Sequence, residues 1–571
     1  MDAPPAQTPD NRDDSGANVK ETLESILVAF ILAFIFRCFV VEAFVIPTGS
    51  MAPTLLGAHS RFACPDCGYR FDVNYSSPKM SDDDVEIPDH VQSVEDGSNH
   101  IVPVVYDDIH CPNCGLRLPP EPNPPVWYGD RILVLKYLYL LQDPQRWDVV
   151  VFKSPSEKAK DYGTNFIKRL IGKPGETIMV LDGDIYVKAK GADHFTIARK
   201  TPAAQESLWR LLYDNDYHPE GNPARQAKWR QPWQQSTGSG KWSTDASLGR
   251  VFTFNGADTT GTLAFNGEAN RPDNKNAAFY DWIGYDQRHS TKTYPVYRGH
   301  SPWLGEYPVS DLKLDLYYTR TTGDGPLRLR LTKLDDAFTA EITPNSIRLI
   351  HEANGLQASP PKSTPLPFQL NKPIHIEFTN VDYQVTLRID GRDVFQTTGD
   401  EYHPNIADLE QRQLDHNRYG SYPSRVGDFA DSSRHHPPLP PPTVSISAER
   451  QACEVSHVSL SRDVYYTPKL ANNQQQLWAG FEPIPGGNGG PVVLGENEFF
   501  VMGDNSPMSY DARFWWEPVD LKDEDLHAEA GRVPERFMLG KAFFVYWPAG
   551  FRPAKGAPAL VPNVGQMRFI R

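Results

Sequence analysis

The hydrophobic pattern begins with one long apolar stretch. Ile26–Phe36 is unbroken apolar sequence, and apolar residues resume after Arg37. A bilayer-spanning helix needs about 20 mostly apolar residues, and Leu23–Val41 nearly reaches that length if Arg37 lies near an interface. We therefore predict a single transmembrane helix over residues 23–42, preceded by a disordered polar tail over residues 1–22.

A cleaved signal peptide and a buried core helix are the alternatives to a spanning helix for this stretch. A cleaved signal peptide fits poorly, because the preceding region is acidic and no small-x-small cleavage site follows. A buried core helix stays open, since apolar runs of 10 to 14 residues are often that. The flanking charges give little information on orientation, because acidic residues surround Arg12 and Lys20.

Beyond this stretch the pattern is that of short β-strands. Continuous apolar runs typical of buried strands are Ile132–Leu135, Val149–Phe152 and Ala542–Trp547. Alternating runs typical of antiparallel strands with one buried face are Leu312–Tyr318, Leu327–Leu331 and Ile374–Phe378. Asp182-Gly183 and Asp390-Gly391 each separate two such runs and predict β-hairpins.

A chain of 571 residues is too long for one hydrophobic core and predicts several domains. The even spacing of short strands over residues 229–467 predicts an antiparallel β-sandwich of jelly-roll-like type. This alternation resembles concanavalin-like sandwiches of the laminin-G type. Thr201–Asp214 predicts a short helix, and the glycines around residue 488 indicate a flexible return to the last segment. The fold class is therefore mostly β.

The acidic charge balance argues against one class of function, general nucleic-acid binding. With 57 Lys and Arg against 72 Asp and Glu, the chain lacks the basic balance of a general nucleic-acid binder, and we expect no nucleic-acid partner.

Two Cys-Pro-x-Cys-Gly motifs, Cys64–Gly68 and Cys111–Gly115, place four thiols at the spacing of a zinc ribbon. The candidate ligands are Cys64, Cys67, Cys111 and Cys114. A pair of disulfides is the alternative, because the segment is predicted to lie outside the cytoplasm. We favour zinc, since the Cys-Pro-x-Cys-Gly motif suits a metal better than a disulfide. The zinc would be structural, because four protein thiolates leave no open coordination position. Cys38 and Cys453 receive no role.

A serine and a lysine stand out from the strand pattern. Ser50 lies in a Gly-Ser-Met turn between Pro47 and Pro53, directly after the apolar stretch. Lys168 and Arg169 interrupt an apolar strand, and because side chains alternate across a strand, one of them is predicted to face inward. A lysine in apolar surroundings has a lowered pKa and can act as a neutral base. An edge strand with both cations in solvent is the alternative.

A third polar segment follows the apolar run Glu498–Met502. Asp504 and Asn505 suit an Asx-type turn. Asp511 and Arg513 project the same way in an extended segment, so they predict an ion pair that braces the turn. A solvated surface pair is the alternative. No histidine accompanies these motifs. The constellation therefore favours a Ser-Lys dyad over a Ser-His-Asp triad, provided that Ser50, Lys168 and Ser509 converge.

Four motifs in order now carry a family resemblance. They are Ile-Pro-Thr-Gly-Ser-Met-x-Pro-Thr-Leu, Gly-Asp-Arg-Ile-x-Val-x-Lys, Phe-Ile-Lys-Arg-x-Ile-Gly-x-Pro-Gly-Glu and Val-Met-Gly-Asp-Asn-Ser-x-x-Ser-x-Asp-x-Arg. Their order and the preceding apolar helix resemble the bacterial type I signal peptidases over about residues 20–60, 126–188 and 495–550. The motifs depart from the family pattern at Ala512, where a serine is common, and at Ser506, where an arginine is common.

The resemblance implies a role for each matching residue. Ser50 is the expected acyl-forming nucleophile, Lys168 its general base, and Thr48 with the Ser50 backbone N–H the oxyanion hole. Ser509 is expected to orient the lysine. The expected supports of the last turn are Asp504, Asp511 and Arg513. The expected walls of a substrate pocket for small residues are Phe44, Ile46, Met51, Leu55 and Ile167.

The resemblance also implies a location and partners. We expect a single-pass protein of the cytoplasmic membrane, with its β-rich catalytic domain outside the cytoplasm and resting on the lipid bilayer. Its substrates would be the signal peptides of preproteins, with small residues before the cleavage site, and catalysis would need no cofactor.

The predicted organisation interrupts a catalytic domain twice. In chain order it comprises a polar tail (1–22), a transmembrane helix (23–42), the nucleophile segment (43–60), a zinc-ribbon-like insertion (61–125), the lysine segment (126–190), a linker with a short helix (191–228), a β-sandwich insertion (229–467), a flexible return (468–494) and a last catalytic segment (495–571).

Two rival functions remain at this point. A catalytically inactive anchored scaffold would use the sandwich to bind a glycan or protein ligand, a comparison that rests on analogy of fold alone. A self-cleaving Ser-Lys regulator is disfavoured by the apolar helix and by the lack of a DNA-binding pattern.

Overall fold

The computed structural model describes a mostly β protein with few helices. The described residues are 14–35, 40–75, 94–95, 101–102, 105–106, 109–119, 121–122, 124–155, 164–221, 228–236, 240–244, 249–270, 279–281, 283–287, 307–419, 439–467, 490–515, 518–521, 526–550 and 563–571. Its α-helices are α1 (Asp14–Ile35), α2 (Leu138–Leu141), α3 (Pro202–Leu208) and α4 (Ile406–Tyr419).

Helix α1 corrects two predictions for the start of the chain. It begins at Asp14, so part of the predicted disordered tail is helical, and Lys20 pairs with Glu24 one turn later. Val41–Val45 is a strand, so the last two residues of the predicted helix over residues 23–42 are not helical. No helix among the described residues is long and apolar enough to cross a bilayer.

An eight-stranded sheet brings together the three segments that carry the Ser, Lys and Asp motifs. All its strand pairs are antiparallel, and its main path runs β1-β8-β33-β9-β10-β29-β32, with β34 against β33. Its strands are β1 (Val41–Val45), β8 (Arg131–Leu135), β9 (Val149–Lys153), β10 (Asn165–Gly172), β29 (Glu498–Met502), β32 (Val533–Pro534), β33 (Met538–Trp547) and β34 (Arg568–Phe569). The continuous apolar runs of the sequence are therefore its central strands.

A four-stranded sheet contains the first predicted hairpin. Its order is β13-β12-β11-β28, formed by β11 (Thr177–Leu181), β12 (Asp184–Lys188), β13 (Thr196–Ile197) and β28 (Val492–Val493). Asp182 and Gly183 both have positive φ, which confirms the Asp-Gly turn.

A fourteen-stranded antiparallel sheet forms most of the large insertion. Its strands are β14 (Arg210–Asp214), β15 (Trp233–Gln235), β16 (Trp242–Thr244), β17 (Phe252–Phe265), β18 (Leu312–Gly323), β19 (Leu327–Lys333), β20 (Asp336–Ile342), β21 (Ser346–Ala353), β22 (Leu356–Gln357), β23 (Lys362–Pro365), β24 (Ile374–Val381), β25 (Gln384–Ile389), β26 (Arg392–Gln396) and β27 (Val444–Arg462). The predicted alternation is confirmed, since β19 and β24 alternate buried and half-buried residues. Strand β27 pairs with four others, namely β14, β17, β18 and β19.

The helix predicted over Thr201–Asp214 is shorter than expected. Thr201 caps α3, which ends at Leu208, and Arg210–Asp214 instead pairs with β27. The apolar residues Leu212 and Tyr213 are buried in the core of the large sheet rather than on a helix face. Tertiary pairing therefore overrides the helical pattern of this segment.

Four two-stranded sheets complete the described elements. They are β2 (His59–Ala63) with β3 (Arg70–Asn74), β4 (Val94–Glu95) with β5 (Ile101–Val102), β6 (Val105–Tyr106) with β7 (Glu121–Pro122), and β30 (Val519–Leu521) with β31 (Leu526–Ala528). The predicted flexible return over residues 468–494 lies largely outside the described residues.

Candidate active site

The nucleophile turn follows directly from strand β1. Gly49–Met51 forms a single 3-10 turn, with Thr48 extended before it. Gly503 lies close beneath the turn, because a Cβ on that glycine would come within 2.5 Å of the Ser50 carbonyl oxygen. The sequence therefore places glycine where two backbone segments touch.

Ser50 and Lys168 are brought together as the sequence predicted they would have to be. Lys168 Nζ lies 2.8 Å from Ser50 Oγ. The lysine is only 5% exposed, and its side-chain nitrogen lies 5.7 Å from the centre of the Phe166 ring. Arg169 is buried as well, although successive side chains of a strand point to opposite faces. The prediction that one of the two cations faces inward therefore understated the burial.

Arg169 binds Asp504 through two hydrogen bonds. Its Nε and Nη2 donate to the two carboxylate oxygens at 2.7 Å each, and both side chains are fully buried. Its Nη1 donates to the Trp147 carbonyl at 2.7 Å. The sequence identified Asp504 as a support of the last turn but did not identify Arg169 as its partner.

Asp511 and Arg513 form the predicted ion pair, and the pair is buried rather than solvated. Arg513 Nε donates to Asp511 Oδ1 at 2.8 Å, and Asp511 Oδ2 accepts from the Gly503 N–H at 2.8 Å. Arg513 Nη1 also donates to Ser506 Oγ at 2.7 Å. The Asp511–Arg513 pair therefore holds the end of the turn against its start at Gly503.

Ser509 is fully buried beside this turn. Its hydroxyl makes no hydrogen bond to any described residue, and it packs against Gly503. The expectation that Ser509 orients Lys168 stays a prediction.

The five residues predicted to form a pocket lie in one apolar cluster. Ile46, Met51 and Leu55 are buried inside it, and Phe44 and Ile167 are half-buried against it. Only the last two therefore offer apolar surface to a substrate in this conformation.

Asn505, which the sequence predicted only as part of an Asx-type turn, also contacts the nucleophile turn. Its backbone N–H donates to the Ser50 carbonyl at 3.0 Å, and its side-chain nitrogen donates to the Gly49 carbonyl at 3.1 Å. Its position next to Asp504 in the last motif was the available signal.

The four cysteines of the two Cys-Pro-x-Cys-Gly motifs converge. Each motif closes with the same backbone bonds, for example Cys64 N–H to the Tyr69 carbonyl and Cys111 N–H to the Leu116 carbonyl. Sγ atoms of Cys64 and Cys114 lie 3.6 Å apart, as do those of Cys67 and Cys111. Each of the four is a free, buried thiol, and all four sulfurs lie within 4.8 Å of one another.

A buried charge network joins the four-stranded sheet, called the smaller sheet below, to the large insertion. Lys333 of the insertion lies 3.0 Å from Asp184 of β12 and also contacts Asp311. Lys200 contacts Asp382 and Asp463. Burial lowers the pKa of Lys333, but the carboxylates of Asp184 and Asp311 outweigh burial and raise it well above its ordinary value. The insertion is thus fastened to the smaller sheet by ion pairs.

The Ser50–Lys168 geometry can support nucleophilic catalysis. A serine hydroxyl becomes a nucleophile when a base within hydrogen-bond reach takes its proton, and Lys168 Nζ lies within that reach of Ser50 Oγ. This is the arrangement of the Ser-Lys class of hydrolases.

Comparison with known proteins points to one family within that class. The family model for signal peptidase, peptidase S26, matches residues 121–241 and 439–547. The matched residues include Lys168, Asp504 and Ser509 but not Ser50, and residues 242–438 lie between them. This confirms the family resemblance for those two segments and leaves the Cys-rich segment up to residue 120 outside the match.

Individual relatives agree with this match. Probable signal peptidase I-2 of Synechocystis sp. is 41% identical over 86 residues, which cover 15% of this chain and 38% of that protein. Signal peptidase I of Rickettsia prowazekii is 26% identical over 182 residues, which cover 32% of this chain and 48% of that protein. The chain thus spans about half or less of the length of these curated relatives. These similarities support a serine peptidase of signal peptidase type.

Among solved structures, a carbohydrate binding module, CBM66 from Bacillus subtilis, covers 40% of this chain and 95% of its own chain. The identity is 10% and the TM-score is 0.21. At that score the likeness carries no conclusion about the insertion.

Proposed function

We propose that this chain is a Ser-Lys endopeptidase that removes signal peptides from preproteins. The observation that carries the proposal is the 2.8 Å contact between Lys168 Nζ and Ser50 Oγ, made by a lysine that protein atoms almost fully enclose. The family match to two segments of the chain supports the same reaction.

In the proposed reaction the neutral amine of Lys168 takes the Ser50 hydroxyl proton as the oxygen attacks the carbonyl carbon of the scissile bond. The Thr48 hydroxyl and the Ser50 backbone N–H stabilise the resulting oxyanion. The Lys168 ammonium then gives its proton to the leaving amine, and the new amino terminus departs. Water, deprotonated by the same lysine, hydrolyses the acyl-serine.

Substrate selection in this proposal depends on the half-buried residues Phe44 and Ile167. They lie at the edge of the apolar cluster that contains the nucleophile turn. A shallow apolar surface of this kind accommodates small side chains before the cleaved bond. Ser509 and the Asp511–Arg513 pair would hold the last motif against Lys168 and Ser50.

The test is cleavage of a purified preprotein with an Ala-x-Ala site by the full chain in detergent. Ser50→Ala and Lys168→Met are expected to abolish release of the mature protein. Ser60→Ala is the matched serine control, because Ser60 is buried but its hydroxyl has no hydrogen-bond partner among the described residues. Lys173→Met is the lysine control. Full cleavage by either dyad variant refutes the proposal, whereas ligand binding without any turnover by the unmodified chain would favour a scaffold.

Attachment to a membrane is part of the proposal. Eight large apolar side chains of α1 are at least 48% exposed, and they lie around the helix: Val19, Leu23, Ile26, Leu27, Val28, Phe30, Ile31 and Leu32. Exposed apolar surface of this extent indicates contact with lipid or a partner. Flotation of the purified chain with phospholipid vesicles tests this, and a chain that stays at the bottom of the gradient contradicts it.

The proposal also includes a structural zinc bound by the four cysteines. Zinc bound to four thiolates at about 2.3 Å requires sulfurs about 3.8 Å apart, and the two pairs at 3.6 Å fit that tetrahedron. The free thiols of Cys64, Cys67, Cys111 and Cys114 speak against the disulfide alternative. Such a zinc would stabilise the fold and take no part in peptide cleavage, because it has no open coordination position.

A further inference from the structure

A short segment of the large insertion lies against the nucleophile turn. Gly284–Asp286 forms a 3-10 turn, and it belongs to neither segment that matches the peptidase family. Tyr285 is buried and packs so closely on Gly49 that a Cβ there would come within 2.5 Å of its ring. The residue next to the candidate nucleophile is therefore in contact with the insertion.

The contact continues through a pair of hydrogen bonds that meet at Asn505. The Asn505 side-chain nitrogen donates to Asp286 Oδ1 at 2.8 Å and to the Gly49 carbonyl at 3.1 Å. The two bonds use both hydrogens of one amide group. Because one acceptor is a carboxylate, the bond to Asp286 is the stronger of the two. It therefore fixes the orientation in which the Asn505 amide reaches the Gly49 carbonyl.

The other end of the same segment holds the Cys-containing region. Gln287 Oε1 accepts from the His110 N–H at 2.7 Å, and Gln287 Nε2 donates to the His110 carbonyl at 2.9 Å. His110 directly precedes Cys111 in the sequence. Residues 284–287 thus connect the nucleophile turn to the cysteine cluster.

We propose that Asp286 is a positioning residue for Ser50. It orients the Asn505 amide, and Asn505 in turn holds the carbonyl groups of Gly49 and Ser50. The insertion would then complete the active site rather than extend from a surface loop. This inference rests on the proposed peptidase function, because its main readout is the alignment of Ser50 with Lys168.

The test compares full-length Asp286→Ala and Asp286→Asn with the unmodified chain in preprotein cleavage. Displacement of a reacting group by about 1 Å can cost about 100-fold in rate, so Asp286→Ala is expected to lower kcat about 10- to 100-fold while KM stays within about twofold. Asp286→Asn keeps an oxygen acceptor without the charge. Its kcat is expected to lie between that of the unmodified chain and that of Asp286→Ala. Tyr318→Phe is the matched control, because it removes one buried hydrogen bond, to Gln451, inside the large sheet.

Hydrogen exchange gives a second readout that needs no activity. Peptides that cover residues 49–55 are expected to exchange faster in Asp286→Ala than in the unmodified chain, and at the same rate in Tyr318→Phe. If Asp286→Ala does not fold, the kcat and the hydrogen exchange of Asp286→Asn test the inference instead. Wild-type kcat together with wild-type exchange in the folded variants overturns the inference. If the unmodified chain cleaves no preprotein, the proposed function fails, and hydrogen exchange alone then decides the positioning role.

Discussion

Asp182 is predicted to make the protein less stable as the pH rises from about 4 to about 7. It occupies the first central position of the β11–β12 turn and is only 7% exposed. Burial raises its pKa to about 7, an effect that Asp311 increases and Lys333 and Arg412 partly oppose. The folded protein therefore binds a proton at Asp182 under conditions in which the unfolded chain has released it.

The sign and the size of the effect follow from this difference. Because the folded state binds more protons than the unfolded state between about pH 4 and pH 7, the free energy of unfolding falls with rising pH in that range. A rise of the pKa from 3.8 to about 7 corresponds to about 4 kcal/mol at 1.36 kcal/mol per tenfold change. Asp182→Asn removes the ionisation and keeps the oxygen that accepts from Tyr465, so the variant should be more stable at pH 8 by up to about 4 kcal/mol.

Urea unfolding at pH 4 and pH 8, followed by tryptophan fluorescence, measures this difference. Asp390→Asn is the matched control, because Asp390-Gly391 forms the same kind of turn with positive φ but Asp390 is exposed. Any gain from the turn preference of asparagine should appear in both variants and at both pH values. Equal pH dependence in Asp182→Asn and the unmodified chain would refute the reasoning.

Three further predictions follow from the buried contacts. Asp504→Ala should lower the free energy of unfolding by about 3–5 kcal/mol in the same urea assay, because Arg169 is left buried without its partner, whereas Glu496→Ala, at an exposed pair, should not change it. Cys111→Ser should abolish bound zinc in metal analysis of the purified chain, and zinc-free unmodified protein with its thiols oxidised would contradict this. Replacement of residues 191–494 by a short linker should give insoluble protein in an expression test rather than a smaller active enzyme, because Met179 and Tyr186 of the smaller sheet pack in the core of the large one.

The local pattern of the sequence predicted the central strands and several strands of the large sheet. Apolar runs such as Val149–Phe152 became central strands, alternating runs became strands with one buried face, and both Asp-Gly turns formed. These features depend on residues within about ten positions of one another, so periodicity and turn chemistry suffice to find them.

The chemistry of a Ser-Lys dyad required Ser50 and Lys168 to converge, whereas nothing in the sequence required the Arg169–Asp504 pair. Those two residues are 335 positions apart, and nothing in their local sequence indicates that they meet. Asp286 was harder still to find, because it lies outside every motif and acts through Asn505. The short helix was predicted too long because pairing of Arg210–Asp214 with β27 outweighed the apolar spacing.

The bond between the Asn505 side chain and the Gly49 carbonyl joins positions that are 456 residues apart. At a synthesis rate of about 5–20 residues per second, roughly 20 to 90 seconds separate the emergence of the two groups from the ribosome. During that interval β17, β18 and β19 also lack their pairing partner β27, which is synthesised after all of them. The nascent chain must therefore carry unpaired strands for much of its synthesis, and the nucleophile turn gains its bond to Asn505 only when the last segment has joined the sheet.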